Sequence, residues 1–187
     1  VLRDPAVWKY CQYYSIVFGG YVALALWLPR YLIGVYGLDI KSAGLIAAAY
    51  SVPASIFRAW GGWMSDKWGA HKVTWWVMWV SWICLFLLSY PATTYTITTV
   101  NGPYTFTLAH NVWTFTTLMA VLGVAWAFGK ASVFKYIADD YPTNIGTISG
   151  IVGLAGGLGG FVLPIMFGAL LDLTGVRTTN APAATAI

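Results

Sequence analysis

Two cations stand where an apolar chain should carry none. Arg58 lies eight residues before Asp66 and Lys130 nine before Asp139, each inside a long apolar segment. At the α-helical rise, Arg58 sits about 12 Å in from the polar end of its helix, and Lys130 is at a comparable depth. An arginine at the centre of a membrane span costs about 2.5–3.5 kcal/mol, so it is retained for a purpose. All acidic residues are aspartates, and none lies deep in an apolar segment to neutralise either cation. Two such cations facing one cavity imply a mobile anion as partner. A guanidinium suits a planar oxyanion, because its fork donates two parallel hydrogen bonds. Lysine, unlike arginine, can also release its proton. The plain alternative is that both cations snorkel to the headgroups. Lys135, about one turn from polar sequence, is expected to do so.

The residues around these cations are small or aromatic. At helical spacing, the Arg58 face continues through Gly44, Ala47, Ala48, Ser51, Ala54 and Ser55 to Gly61 and Gly62. Such a stripe reads as a cavity wall or a tight helix seam. Tyr14 and Phe18, four apart, share one face of another helix. Near the C-terminal end runs Gly150-Ile-Val-Gly153-Leu-Ala-Gly156-Gly157-Leu-Gly159-Gly160-Phe161-Val-Leu-Pro164. Each glycine costs a helix roughly 1 kcal/mol relative to alanine. In lipid, glycines four apart, as at Gly146/Gly150, Gly153/Gly157 and Gly156/Gly160, allow close backbone approach to another helix or a ligand.

The elements that must position these residues are transmembrane helices. Hydrophobic residues make up 59% of the 187 and charged residues only 9%, against about 25% in soluble domains. Spans fit at 11–35, 41–63, 72–90, 112–137 and 144–171. The odd number of spans, the start at Val1 and the polar ending after Arg177 are read as part of a larger protein. No signal peptide is expected, since Val1-Leu-Arg3-Asp4-Pro5 lacks the basic-then-apolar order. With the N-terminus inside, Arg3, Lys9, Lys67, Lys72 and Lys135 fall on the cytoplasmic side, against Arg30, Lys41 and Arg177 outside. The net charge of +4 is scattered over loops and the membrane surface, with no patch for nucleic acid. Clustered tryptophans at 75, 76, 79 and 82 read as lipid-facing and interfacial. Segment 91–110 alternates threonine with apolar residues around Asn101-Gly102, a hairpin signal weakened by Pro103, and is placed outside the cytoplasm. Cys11 and Cys84 are expected as buried free thiols without a redox or metal role. His71 and His110 sit at span ends, so axial haem ligands are lacking, and no cofactor or metal is expected.

After the second span, Gly62-Trp-Met-Ser-Asp66-Lys67-Trp-Gly69-Ala-His71-Lys72 resembles the cytoplasmic loop motif of the major facilitator superfamily, with His71 where a basic residue is more usual. With the glycine run, the resemblance narrows to the nitrate/nitrite porters, the NarK-type branch. Gly159-Gly-Phe-Val-Leu-Pro164 looks like their second nitrate signature, Arg58 stands at the spacing of their substrate arginine, and Tyr14 and Phe18 are similar to aromatics beside the anion. The resemblance covers nearly the whole chain and implies an all-α integral membrane fold. The chain would be a C-terminal-half bundle, helices 7 to 11, of a transporter in the bacterial inner (cytoplasmic) membrane, without its N-terminal half and last helix.

The resemblance implies a nitrate, and also nitrite, transporter working by alternating access, and not an enzyme. Arg58, Tyr14, Phe18, Gly156, Gly157, Gly159 and Gly160 would meet the anion or let helices approach closely. Gly62, Asp66, Lys67 and Gly69 would form a gating motif, with Asp66 stabilising one conformation. Lys130 departs from exchanger-like members and resembles those read as nitrate–proton symporters, which makes it the coupling candidate. The alternatives are a nitrate/nitrite exchanger, a porter for another small anion such as formate or an organic acid, and a non-transporting membrane sensor or subunit.

Overall fold

The computed structural model describes residues 3–90, 93–100 and 102–174, with the side chains of Leu171 and Thr174 left aside. The first span is built in three pieces. Helix α1, Pro5–Tyr14, starts on Asp4, whose carboxylate accepts from the Ala6 amide at 2.9 Å, with Pro5 fitting the first turn. A π-helical stretch, Ser15–Gly20, follows and passes directly into α2, Tyr21–Tyr36. Together they form one apolar span of 32 residues.

Helix α3, Ile40–Trp68, begins on Asp39, which accepts from the amides of Lys41 and Ser42 at 3.1 and 3.3 Å. It runs through Gly62, Asp66 and Lys67, beyond the expected end of the span at 63. The loop motif is therefore mostly the last turns of a helix. Its turn is a single residue, Gly69, whose φ of 87° explains the glycine, and α4, Ala70–Ser89, starts immediately after it.

Strands β1, Thr93–Thr99, and β2, Gly102–Leu108, pair antiparallel from Thr93–Leu108 to Thr99–Gly102. Asn101 lies outside the described residues. Pro103 is accommodated because both strands of an isolated ribbon have a free edge. Helix α5, Val112–Asp140, is capped by Asn111, and α6 spans Ile145–Thr174. Arg177 and the tail after it lie outside the described residues.

Among the described residues, five helical spans are long and apolar enough to cross a membrane. Helix α5 is central, packing on α3 and α4 along its length and also touching α1, the π-helical stretch and α6. Its buried face includes Leu122, Trp126, Ala127, Val133 and Ile137. Trp75, Trp76, Trp79 and Trp82 of α4 are exposed, as an outward-facing belt requires. Cys11 and Cys84 are buried free thiols.

Candidate functional site

The small-residue stripe of α3 divides into two faces. Ala54 and Gly61 are buried, and a Cβ on Gly61 would stand 2.6 Å from the Phe128 Cα of α5. Gly44, Ala48, Ser55 and Arg58 remain exposed. One side of α3 is a helix seam, and the neighbouring side is an open wall carrying the arginine.

That arginine turns towards α5 and α1. Its Cζ lies 5.9 Å from the centre of the Phe134 ring. Tyr14 meets the same ring edge-on at 5.2 Å, so Tyr14 and the Arg58 guanidinium share Phe134 as a neighbour. Phe18 stacks on Tyr14, with centroids 5.1 Å apart and planes within 6°. The pair is pressed against α6 at Gly156, where a Cβ would come within 2.5 Å of the Tyr14 ring. Just beyond, a Cβ on Gly159 would stand 3.1 Å from the Ser15 carbonyl oxygen, and one on Gly160 3.2 Å from Val22. The Ser15 hydroxyl also donates to the Ala155 carbonyl at 3.0 Å. The glycines of α6 thus let the π-helical stretch lie against its backbone, while Tyr14 and Phe18 face Gly156.

Gly157 is placed differently from its neighbours. No described atom would lie within 4 Å of a Cβ there, so the close packing expected at Gly157 has no partner among the described residues. Gly153 and Gly168 are likewise open.

Lys130 does not snorkel. It is only 5% exposed, and its Nζ sits 3.4 Å from the centre of the Tyr21 ring. Tyr21 stacks on Tyr50 at 5.0 Å, and the Tyr50 hydroxyl donates to the Tyr21 carbonyl. Lys130 is one turn from Phe134 on α5 and within electrostatic range of Arg58. Neither cation has a carboxylate partner among the described residues. Aromatic faces hold both, and a ring face attracts a cation without cancelling its charge.

Lys135 reaches towards the helix ends and finds carboxylates there. It bridges Asp66 of α3 at 3.3 Å and Asp139 of its own helix at 2.9 Å. Asp66 therefore ties the end of α3 to α5, away from the cluster around Arg58. Lys67 lies over the Trp63 ring at 5.0 Å, and His71 contacts the Tyr136 hydroxyl.

Phe134, Tyr21 and Tyr50 are absent from the expected set. Their signals are spacing: Phe134 is four residues after Lys130, and Tyr21 is seven after Tyr14. Neither separates a site aromatic from the many lipid-facing ones.

The Major Facilitator Superfamily profile matches residues 1–164. A Thermus thermophilus protein named probable nitrate/nitrite antiporter NarK1 is 38% identical over 178 residues, covering 94% of this chain and 40% of that protein. The probable nitrate/nitrite transporter NarK2 of Mycobacterium tuberculosis is 34% identical, covering 91% of this chain and 39% of its own length. A nitrite extrusion protein of Bacillus subtilis is 28% identical over 94% of the chain and 40% of its own length. This chain therefore spans about 40% of the length of these relatives. No solved structure gives a significant match.

Proposed function

The chain belongs to the major facilitator superfamily and to an integral membrane protein, and on that premise we propose that the whole protein carries nitrate or nitrite across the bacterial inner membrane by alternating access. The observation that supports this most is the meeting of Arg58, Tyr14, Phe18 and Phe134 with no carboxylate among them. A planar oxyanion would receive two hydrogen bonds from the Arg58 fork and a third from the Tyr14 hydroxyl. Phe18 would wall its face. The opposite wall would come from a second helical bundle, the other half of the transporter, against which Gly157 and the exposed side of α3 would close.

Coupling is assigned to Lys130, which unlike Arg58 can release its proton. Its charge would draw the anion in, and by reciprocity the bound anion would favour its protonation. Proton-driven uptake follows. Exchange of nitrate for nitrite is the second reading, favoured by the antiporter name of the Thermus relative.

Labelled nitrate uptake into proteoliposomes by the full-length protein tests the proposal, with and without an inward proton gradient. Arg58→Lys should reduce uptake by about 30- to 150-fold at normal expression, the equivalent of about 2–3 kcal/mol of charged hydrogen bonding. Near-normal uptake by that variant would make Arg58 structural. Absence of nitrate and nitrite transport in the wild type would favour a sensor or a porter for another anion.

A further inference from the structure

A groove of about 510 Å³ runs between α3, α4 and α5, apart from the residues around Arg58. Its walls are apolar: Val73 and Val80 of α4, and Val121 and Val124 of α5, are typical of them. Lys72 is the one charged residue lining it. Lys72 belongs to the first turn of α4, and the groove is also lined by Trp68, which ends α3, and by Trp76, one turn beyond Lys72. A cation and two indoles therefore mark the helix-end part of the groove. From there the aliphatic strip extends to Val80, eight residues or about 12 Å along the helix.

Lys72 makes no ion pair with any described residue. The arrangement is graded as a lipid is graded. Indoles prefer the headgroup level of a bilayer, and basic pockets between transmembrane helices attract anionic headgroups. A zwitterionic lipid would fill the aliphatic strip without satisfying the cation. A second copy of this surface would bring another lysine to the same opening.

We infer that this groove holds an acyl chain of an anionic phospholipid, with the lipid phosphate at Lys72. The side chain would act as a point charge, and Trp68 and Trp76 would flank the glycerol level. The site stands independently of the transported anion, because it shares no residue with the Arg58 cluster.

The test uses the full-length protein in mixed phosphatidylglycerol and phosphatidylcholine micelles, read by native mass spectrometry. The wild type should retain phosphatidylglycerol in preference, and Lys72→Gln should lower that preference about fivefold, the worth of one lysine at an anionic surface. Lys72→Arg should keep it. A benzoylphenylalanine photo-crosslinker at Val121, an exposed groove position, should gain the mass of one phospholipid on illumination. Equal retention of the two lipids by the wild type would overturn the inference. So would a crosslink that closes within the polypeptide or joins two copies. Should Lys72→Gln fail to fold, the wild-type preference and the crosslink decide the matter alone.

Discussion

Two adjacent residues of α5 hold their surroundings in opposite ways. Lys135, near the helix end, is neutralised by Asp66 and Asp139. Phe134, one residue earlier, receives Arg58 on its ring face, and one turn deeper Lys130 rests on Tyr21. Carboxylates act at the helix ends: Asp4 and Asp39 cap, and Asp66 and Asp139 pair. In the middle, aromatic rings take their place. A carboxylate partner cancels a cation's charge, whereas a ring fixes its position and leaves the charge available. The difference separates cations that tie helices together from cations that can receive an anion and let it go.

The largest effect should come from filling the space against which the middle region is built. Gly156→Leu would drive a side chain into Tyr14 and Phe18, already 2.5 and 3.0 Å from a bare Cβ. Overpacking of this kind typically costs about 1–3 kcal/mol, with more for a backbone crossing that cannot relax. The full-length variant should show a lowered thermal midpoint and little uptake. Gly157→Leu meets nothing among the described residues and should fold normally. If it nonetheless stops turnover, Gly157 closes against the second bundle. Equal thermal midpoints for the two variants would refute the close approach at Gly156.

Next comes coupling. Lys130→Ser should abolish the response of uptake to an inward proton gradient, or leave only nitrate–nitrite exchange. Lys135→Gln should keep that response, because its loss removes a tie between α3 and α5 and no deep charge. Unaltered coupling in Lys130→Ser would take Lys130 out of the mechanism. A smaller effect is expected of Phe134→Leu, which removes the ring under Arg58 but keeps the volume apolar. A cation–π contact is worth about 0.5–1 kcal/mol at an open site, so half-saturation for nitrate should rise about two- to fivefold while protein yield holds.

Much of this was legible because lipid simplifies the sequence. Five apolar spans and six aspartates confined to helix ends are readable from residue types alone, and they single out Arg58 and Lys130. The Tyr14–Phe18 pair followed from its spacing of four, which survives the π-helical stretch as a stacked pair. That stretch itself was not legible, since no residue in Ser15–Gly20 requires the wider turn. The bridge from Lys135 to Asp66 joins residues 69 apart in sequence and depends on how α3 crosses α5. The continuation of α3 to Trp68 was hidden for another reason. Gly62, Asp66 and Lys67 look like loop residues by composition, but they occupy the last turns of a helix stopped by Gly69.

The smallest effect sharpens the other side of the comparison, since it titrates only the helix ends. The Ser42 hydroxyl and amide, with the Lys41 amide, hold the Asp39 carboxyl below its ordinary value. Asp4 is lowered likewise by the Tyr141 hydroxyl and the Ala6 amide, and the same bond pushes Tyr141 up to about 12. A depressed carboxyl stabilises the fold above its unfolded value, about 3.9 for aspartate. That contribution is lost as pH falls through the lower folded-state value. The thermal midpoint of the full-length protein should therefore gain nothing from these caps between pH 7 and 5, and should fall below about pH 4. Asp39→Asn keeps an oxygen to accept the same amides, and asparagine caps helices as well as aspartate. It lacks only the charge that favours a helix N-terminus. The wild type should lead this variant slightly at pH 7, and the gap should close in acid. A gap that did not begin to narrow as the pH fell below about 4 would mean that the shape of Asp39, and not its charge, holds the start of α3.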